Sequence, residues 1–172
     1  INTLDYLRNE MTSEEKYFFS AQDADSEGFE GLYFCFSKEE FEDALNKHDD
    51  DQESLAKNRD KILKWFNITD TPNFEQGLNV ISMKAQYKEE YFTPEGWDIV
   101  RKVRRALVNE RKDRIPPMTD SKGIASWNYM LLSALVDVIQ YCPLDVIKKM
   151  AGELLNHTLE GIHQHFVVQK DG

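Results

Sequence analysis

Ile124 to Tyr141, IASWNYMLLSALVDVIQY, decides the fold, because no other segment of the 172 residues is apolar around most of a helical wheel. At about 100° per residue, Trp127, Leu131, Leu135, Val138 and Ile139 cover one broad face, and Leu132 and Val136 widen it. Ser126, Ser133, Asp137 and Gln140 leave only a narrow polar strip. Such a helix needs neighbours on nearly every side, which predicts a place at the centre of the core. Asn128 sits among Leu131, Leu135 and Ile139 where an apolar residue is expected. A buried amide there must find hydrogen bonds, and the backbone of a nearby loop is the expected partner.

Outward from this helix the punctuation is clear. Cys142-Pro143 stops it, and a last helix is expected from Leu144 to about His165, with Ile147, Met150, Ala151, Leu154, Thr158 and Ile162 facing inward. Upstream, Pro116-Pro117 makes residues 115–123 a loop. Thr93-Pro94 is a cap followed by proline at the first helical position, opening a helix to about Asp113 with Val100, Val103 and Leu107 inside. Further back, Ser37 and Glu40 form a capping box for the helix SKEEFEDALNK, and residues 52–66 form another around Leu55, Ile62, Trp65 and Phe66.

Between these helices the residues read as strand. Ile81, Met83, Ala85 and Tyr87 alternate with Ser82, Lys84, Gln86 and Lys88, a period of two that predicts a strand over 79–88. EKYFFSAQ (15–22) and GLYFCFS (31–37) are rich in aromatics suited to a half-buried sheet, and the turn-rich segment between them makes a long-looped hairpin. Leu4 to Asn9 is one helical turn. The expected fold is α+β: a predominantly helical single domain, residues 1–172, with a small antiparallel sheet, and all-α as the alternative. Residues 1–92 hold the acidic hairpin, two helices and a strand, and 93–172 hold three longer helices forming the core.

Composition narrows the function. With 41% hydrophobic and 12% aromatic residues, the chain has enough apolar side chain for a real core, and disorder is excluded as a general state. The net charge of −10 is lopsided: residues 1–60 carry −11, and the remaining 112 carry +1. Such acidity repels nucleic acid and anionic membrane and attracts basic partners. Direct nucleic-acid binding is therefore not expected. No run approaches the roughly 20 apolar residues of a membrane span. Cys35 and Cys142 lack metal or redox spacing and read as reduced thiols of a cytoplasmic protein.

No complete catalytic set stands out, and no cofactor is expected. Phosphate-loop, dinucleotide, GxSxG and HExxH motifs are absent. On the last helix Glu153, His157, Glu160 and Gln164 share a stripe, the local geometry of many metal sites, but the stripe points away from the core direction and reads as a solvated face. Asp23 to Gly28 matches the first six positions of a calcium loop. The twelfth position is Phe34, so no glutamate closes the shell. Seven basic residues fall within 101–114, making Arg101, Arg104 and Arg105 the candidate anion contacts.

EGFEGLYFCFSKEEFEDAL (27–45) resembles the first strand and helix of the ArdA-type antirestriction proteins, which are acidic DNA mimics. The resemblance implies an inhibitor of a nucleic-acid-handling protein, although the second half of this chain is near neutral where that family is acidic throughout. The reading preferred over it is a non-enzymatic, regulatory protein-interaction module that binds a basic protein partner through Glu39, Glu42, Asp43, Asp49, Asp50 and Asp51. A metal- or phosphate-dependent enzyme is the third alternative.

Overall fold

The computed structural model describes residues 2–48 and 54–167. Its helices are α1 (Asn2–Glu10), α2 (Lys38–Lys47), α3 (Ser54–Lys57), α4 (Arg59–Trp65), α5 (Lys88–Tyr91), α6 (Pro94–Arg111), α7 (Ala125–Tyr141) and α8 (Asp145–His165). Four two-residue strands, β1 (Ala21–Gln22), β2 (Asp25–Ser26), β3 (Phe29–Glu30) and β4 (Thr119–Asp120), make two antiparallel pairs, β1 with β4 and β2 with β3. The fold is thus predominantly helical α+β. Among the described residues no helix is long and apolar enough to cross a membrane. Chain contacts gather into two compact units, one of Ile1–Asp23 with Met118–Gly172 and one of Ala24–Pro117.

In the unit of Ala24–Pro117, the capping chemistry is as the sequence indicates. Ser37 Oγ accepts from the Glu40 amide at 3.1 Å, and the Glu40 carboxylate accepts from the Ser37 amide at 2.8 Å. Thr93 Oγ1 accepts from the Gly96 amide at 3.0 Å, with Pro94 opening α6. The helix expected over 52–66 is interrupted at Asn58 into α3 and α4, yet its apolar positions all meet in one core. Phe41, Leu55, Ile62, Trp65, Val100 and Val103 are essentially inaccessible there.

The expected strands of this unit are corrected. Residues 79–88 form no strand: the segment runs extended to Lys84 and then turns helical. Its alternation is real, with Ile81, Met83 and Tyr87 packed on the core. Its amides, however, bond to the end of α4, Lys84 N–H to Trp65 O at 2.9 Å and Ser82 N–H to Phe66 O at 3.3 Å. Helix C-termini leave carbonyls without intrahelical donors, and an extended chain supplies them as well as a strand neighbour would. GLYFCFS likewise is a turn over 31–34 followed by a single bridge, Phe36 to Asn79. The hairpin lies inside the expected loop, where Glu27 and Gly28 both take positive φ, 53° and 82°, as the tight turn between β2 and β3 requires.

In the other unit, EKYFFSAQ is not a strand of a hairpin either. It contributes one bridge, Thr12 to Phe18, and the short β1. The side chain that fixes it is Asn128, 2% exposed on α7. Asn128 Oδ1 accepts from the Phe18 amide at 2.8 Å, and its Nδ2 donates to the Phe18 carbonyl and to Ile124 O, both at 3.1 Å. One side chain thereby does for Phe18 what a neighbouring strand residue would do. Leu4, Met11, Phe18, Leu135, Ala151 and Leu154 form the core beneath it.

α7 differs from the expectation of an all-round buried helix. Only Asn128, Leu132 and Leu135 are buried, Leu131, Val138 and Ile139 are half-buried, and Trp127 and Val136 are exposed. α8 is its main neighbour and buries Ala151, Leu154, Thr158 and Ile162, as read. α6 belongs to the core of α2 to α5, so the three longer helices do not share one cluster.

Replacing Asn128 by leucine strands the Phe18 amide and carbonyl, at about 1–3 kcal/mol for each buried group left unpaired. Urea denaturation should show a loss of about 3 kcal/mol, and a loss under ~1 kcal/mol would refute the clamp. Two glycines of α8 give a paired prediction. A Cβ at Gly161 would lie 2.3 Å from Lys16 O, whereas one at Gly152 meets nothing within 4 Å. Gly152→Ala should therefore stabilise by up to ~1 kcal/mol. Gly161→Ala should destabilise by about 1–3 kcal/mol despite the same gain in helix propensity. Equal effects at the two sites would contradict the Lys16 contact.

Candidate functional site

The acidic face begins with the capping box, which fixes the first turn of α2 and with it the directions of Glu39, Glu42 and Asp43. Glu39 and Asp43, one turn apart, are exposed. Glu42 is turned inward and is held by the Arg59 guanidinium, whose Nε donates to Glu42 Oε1 at 3.0 Å. Glu40 accepts from Ser37 and pairs with Arg114 at 3.4 Å. Asp49, Asp50 and Asp51 lie outside the described residues. Sequence reasoning therefore placed Glu39 and Asp43 on one surface, and structure removes Glu42 from its free part.

The cations around α2 are already engaged. Lys38 binds Asp70, and Lys47 donates to Glu110 at 3.0 Å with Asp113 at 4.0 Å. His48 Nε2 also lies 3.0 Å from Glu110. Ion pairs thus join α2 to α6 and to the segment after it in both directions, acid on base at Glu40 and Arg114, base on acid at Lys47 and Glu110. The hydrogen bond from Lys47, then that from His48, holds the Glu110 carboxyl below its ordinary value.

Arg114 does more than balance charge. Its guanidinium lies 4.1 Å from the Phe36 ring centre and donates to the carbonyls of Leu32 at 3.0 Å and Cys35 at 2.6 Å. It closes the 31–34 turn in place of a strand. Burial pushes the Cys35 thiol up, against a smaller opposing effect of Arg114. That leaves a protonated thiol unsuited to nucleophilic work. Both cysteines are free.

Arg101 is committed to Asp98 at 3.0 Å, and Asp98 is held low first by Lys102 and then by Arg101. Arg104 and Arg105 are exposed, but each has contacts within the chain. On α8, Glu153, His157 and Glu160 do not converge. Lys16 takes Glu160 at 2.6 Å and lowers its pKa, and among the described residues no group of three metal-capable side chains occurs. Asp23 to Gly28 is consumed by β2 and its turn.

Beside α2 opens a cleft of about 620 Å³ lined by Lys38, Asp60, Leu63, Lys64, Ile68 and residues 69–71. Its charges are mixed, and the Thr69 hydroxyl donates to Thr71 O at 2.6 Å. The loop behind it is ordered by Asn79, fully buried, whose Oδ1 accepts from the Thr69 and Asn73 amides at 3.4 Å. Sequence reading missed Asn79 and the role of Arg114. The signal for Asn79 was present: it is polar at the apolar phase of the alternating run, the same anomaly that marks Asn128. Comparison with family models and with curated proteins gives no match.

The Glu110 contacts predict a pH signature. A carboxyl with a depressed folded-state pKa contributes stability that is complete above its unfolded pKa of about 4.3 and is lost as pH falls through the lower folded value. Urea denaturation of Glu110→Gln against the parent should show a constant difference, about 0.2–1 kcal/mol, from neutral pH to about 5. The difference should shrink below that. A gap unchanged down to pH 3 would rule out Glu110 as the titrating partner.

Proposed function

We propose that the chain is a non-enzymatic protein-interaction module that presents the acidic outer face of α2 to a basic protein partner. The observation that carries this reading is the exposure of Glu39 and Asp43 while the neighbouring cations Lys38, Lys47 and Arg59 are held by Asp70, Glu110 and Glu42. Carboxylates on a capped helix are kept close despite mutual repulsion. A basic surface arriving there meets charge that the protein has not already neutralised. Residues 49–51 add three aspartates just after α2 in the sequence, which extends the charge available to the same partner. Cytoplasmic residence fits the two free thiols.

Substituting Glu39→Gln, Asp43→Asn and Asp49, Asp50 and Asp51 to Asn tests the proposal. Folding should be nearly unchanged, since exposed charges contribute about 0–1 kcal/mol each. Affinity capture compared at low and high salt should show a partner that the parent holds strongly at low salt and the variant does not. The loss should appear mainly as a slower association rate and a flatter salt dependence. A partner held equally by both proteins, or a variant that loses thermal stability at low salt while binding is unaltered, would overturn the reading.

A further inference from the structure

The cleft of about 620 Å³ beside α2 falls within the size range of small-molecule sites, roughly 300–1,000 Å³. Its chemistry follows from one turn of α4. Asp60, Leu63 and Lys64 stand at positions i, i+3 and i+4, so they project from one side of the helix, and all three line the cleft. An acid four residues ahead of a lysine is the order in which helical ion pairs form best. Here the pair does not close. Neither Asp60 nor Lys64 makes a side-chain hydrogen bond or ion pair among the described residues, and the adjacent Arg59 is taken by Glu42.

The apolar part of the lining is Leu63 and Ile68. Ile68 is 5% exposed, and Leu63 is half-buried against the core of this unit. The Ile68 amide donates to Leu63 O at 2.9 Å, which holds the loop after α4 against the helix and keeps the two residues side by side. The remaining charges of the lining, Lys38 and Asp70, satisfy each other. The cleft thus offers one carboxylate and one ammonium without partners, four residues apart, next to an aliphatic surface.

Simple ions do not suit this lining. A phosphate or sulfate drawn to Lys64 meets Asp60 on the same turn, and a metal or organic cation drawn to Asp60 meets Lys64. A neutral apolar ligand would cover both charges and supply a partner to neither, which is costly. The fitting ligand carries both signs close together with an apolar group attached. An α-amino acid has this form, with ammonium, carboxylate and side chain on one carbon. We propose that the cleft binds a free α-amino acid with an aliphatic side chain, its ammonium on Asp60, its carboxylate on Lys64 and its side chain on Leu63 and Ile68. The assignment does not rest on the acidic outer face of α2. Both charged contacts are open to solvent, so each is weak and the affinity is modest.

Amide NMR titration of the full chain with L-leucine should shift the signals of Leu63, Thr69, Asp70 and Thr71, with a Kd on the order of 1 mM. N-acetyl-leucine keeps only the carboxylate and leucinamide only the ammonium, and each should bind at least about tenfold more weakly. Asp60→Asn should abolish the preference for leucine over N-acetyl-leucine and keep that over leucinamide. Lys64→Gln should do the reverse. Both side chains are exposed, so neither change should alter the circular dichroism. Absence of shifts at these amides at about ten times the expected Kd overturns the proposal. So does N-acetyl-leucine or leucinamide binding as tightly as leucine, a comparison made on the parent protein and unaffected by how the variants fold. Retention of both preferences in either variant would overturn it as well.

Discussion

Hydrogen bonding of irregular backbone is the constraint on which both units depend. Strands of two residues cannot pair the amides and carbonyls of long connecting segments, and a buried group left unpaired costs about 1–3 kcal/mol against a typical net stability of 5–15. Each unit answers with a buried asparagine. Asn128 pairs both backbone groups of Phe18, and Asn79 gathers Thr69 and Asn73 onto one carbonyl oxygen while its own backbone bridges Phe36. Asn128 uses both the acceptor and the donor of its amide, in the geometry of a peptide group, whereas Asn79 works through its carbonyl oxygen alone. Leucine at either place would leave the backbone groups that the amide now pairs without their side-chain partner.

The same need explains the other long-range polar contacts. Trp65 O and Phe66 O, at the end of α4, accept from the amides of Lys84 and Ser82. Carbonyls of the 31–35 turn accept from Arg114, stacked on Phe36. Carbonyl acceptors released wherever a helix or turn ends are therefore met by an extended segment or by a guanidinium. Ion pairs between α2 and α6 add alignment more than energy, being partly exposed. Together with Lys38–Asp70 and Arg59–Glu42, the Lys47–Glu110 pair occupies the cations around α2 and so determines which carboxylates of its surface remain for a partner.

α7 shows how far burial can depart from hydropathy. Its residues are apolar on nearly every side, but only a stripe facing α8 and the loop of Phe18 is covered. Exposed apolar side chains are normal on protein surfaces, so hydropathy alone does not say which of them a fold will cover. Gly161 sets the near side of the same arrangement: with no Cβ it lets Lys16 O approach α8, bringing Phe18 within reach of Asn128.

By itself the sequence determined where α2, α6, α7 and α8 run, the caps that start α2 and α6, and the inner faces of α6 and α8. Capping boxes, proline at the first position and 3.6-residue periodicity are local signals, and Ser37, Thr93, Val100, Leu154 and Ile162 all stand where those signals put them. It also marked Asn128 as an amide in need of partners and Glu39 and Asp43 as outward-facing acids. Tertiary structure alone decided what the alternating segments pair with. A period of two reports that side chains of an extended chain alternate, and residues 79–84 do alternate; it carries no information on whether the backbone meets a strand, a helix end or an asparagine. Nor could hydropathy tell which side of α7 would be covered, or charge counting reveal that Glu42 is taken by Arg59. Those outcomes depend on which distant segments arrive at each face, and such contacts are set by packing of the whole unit.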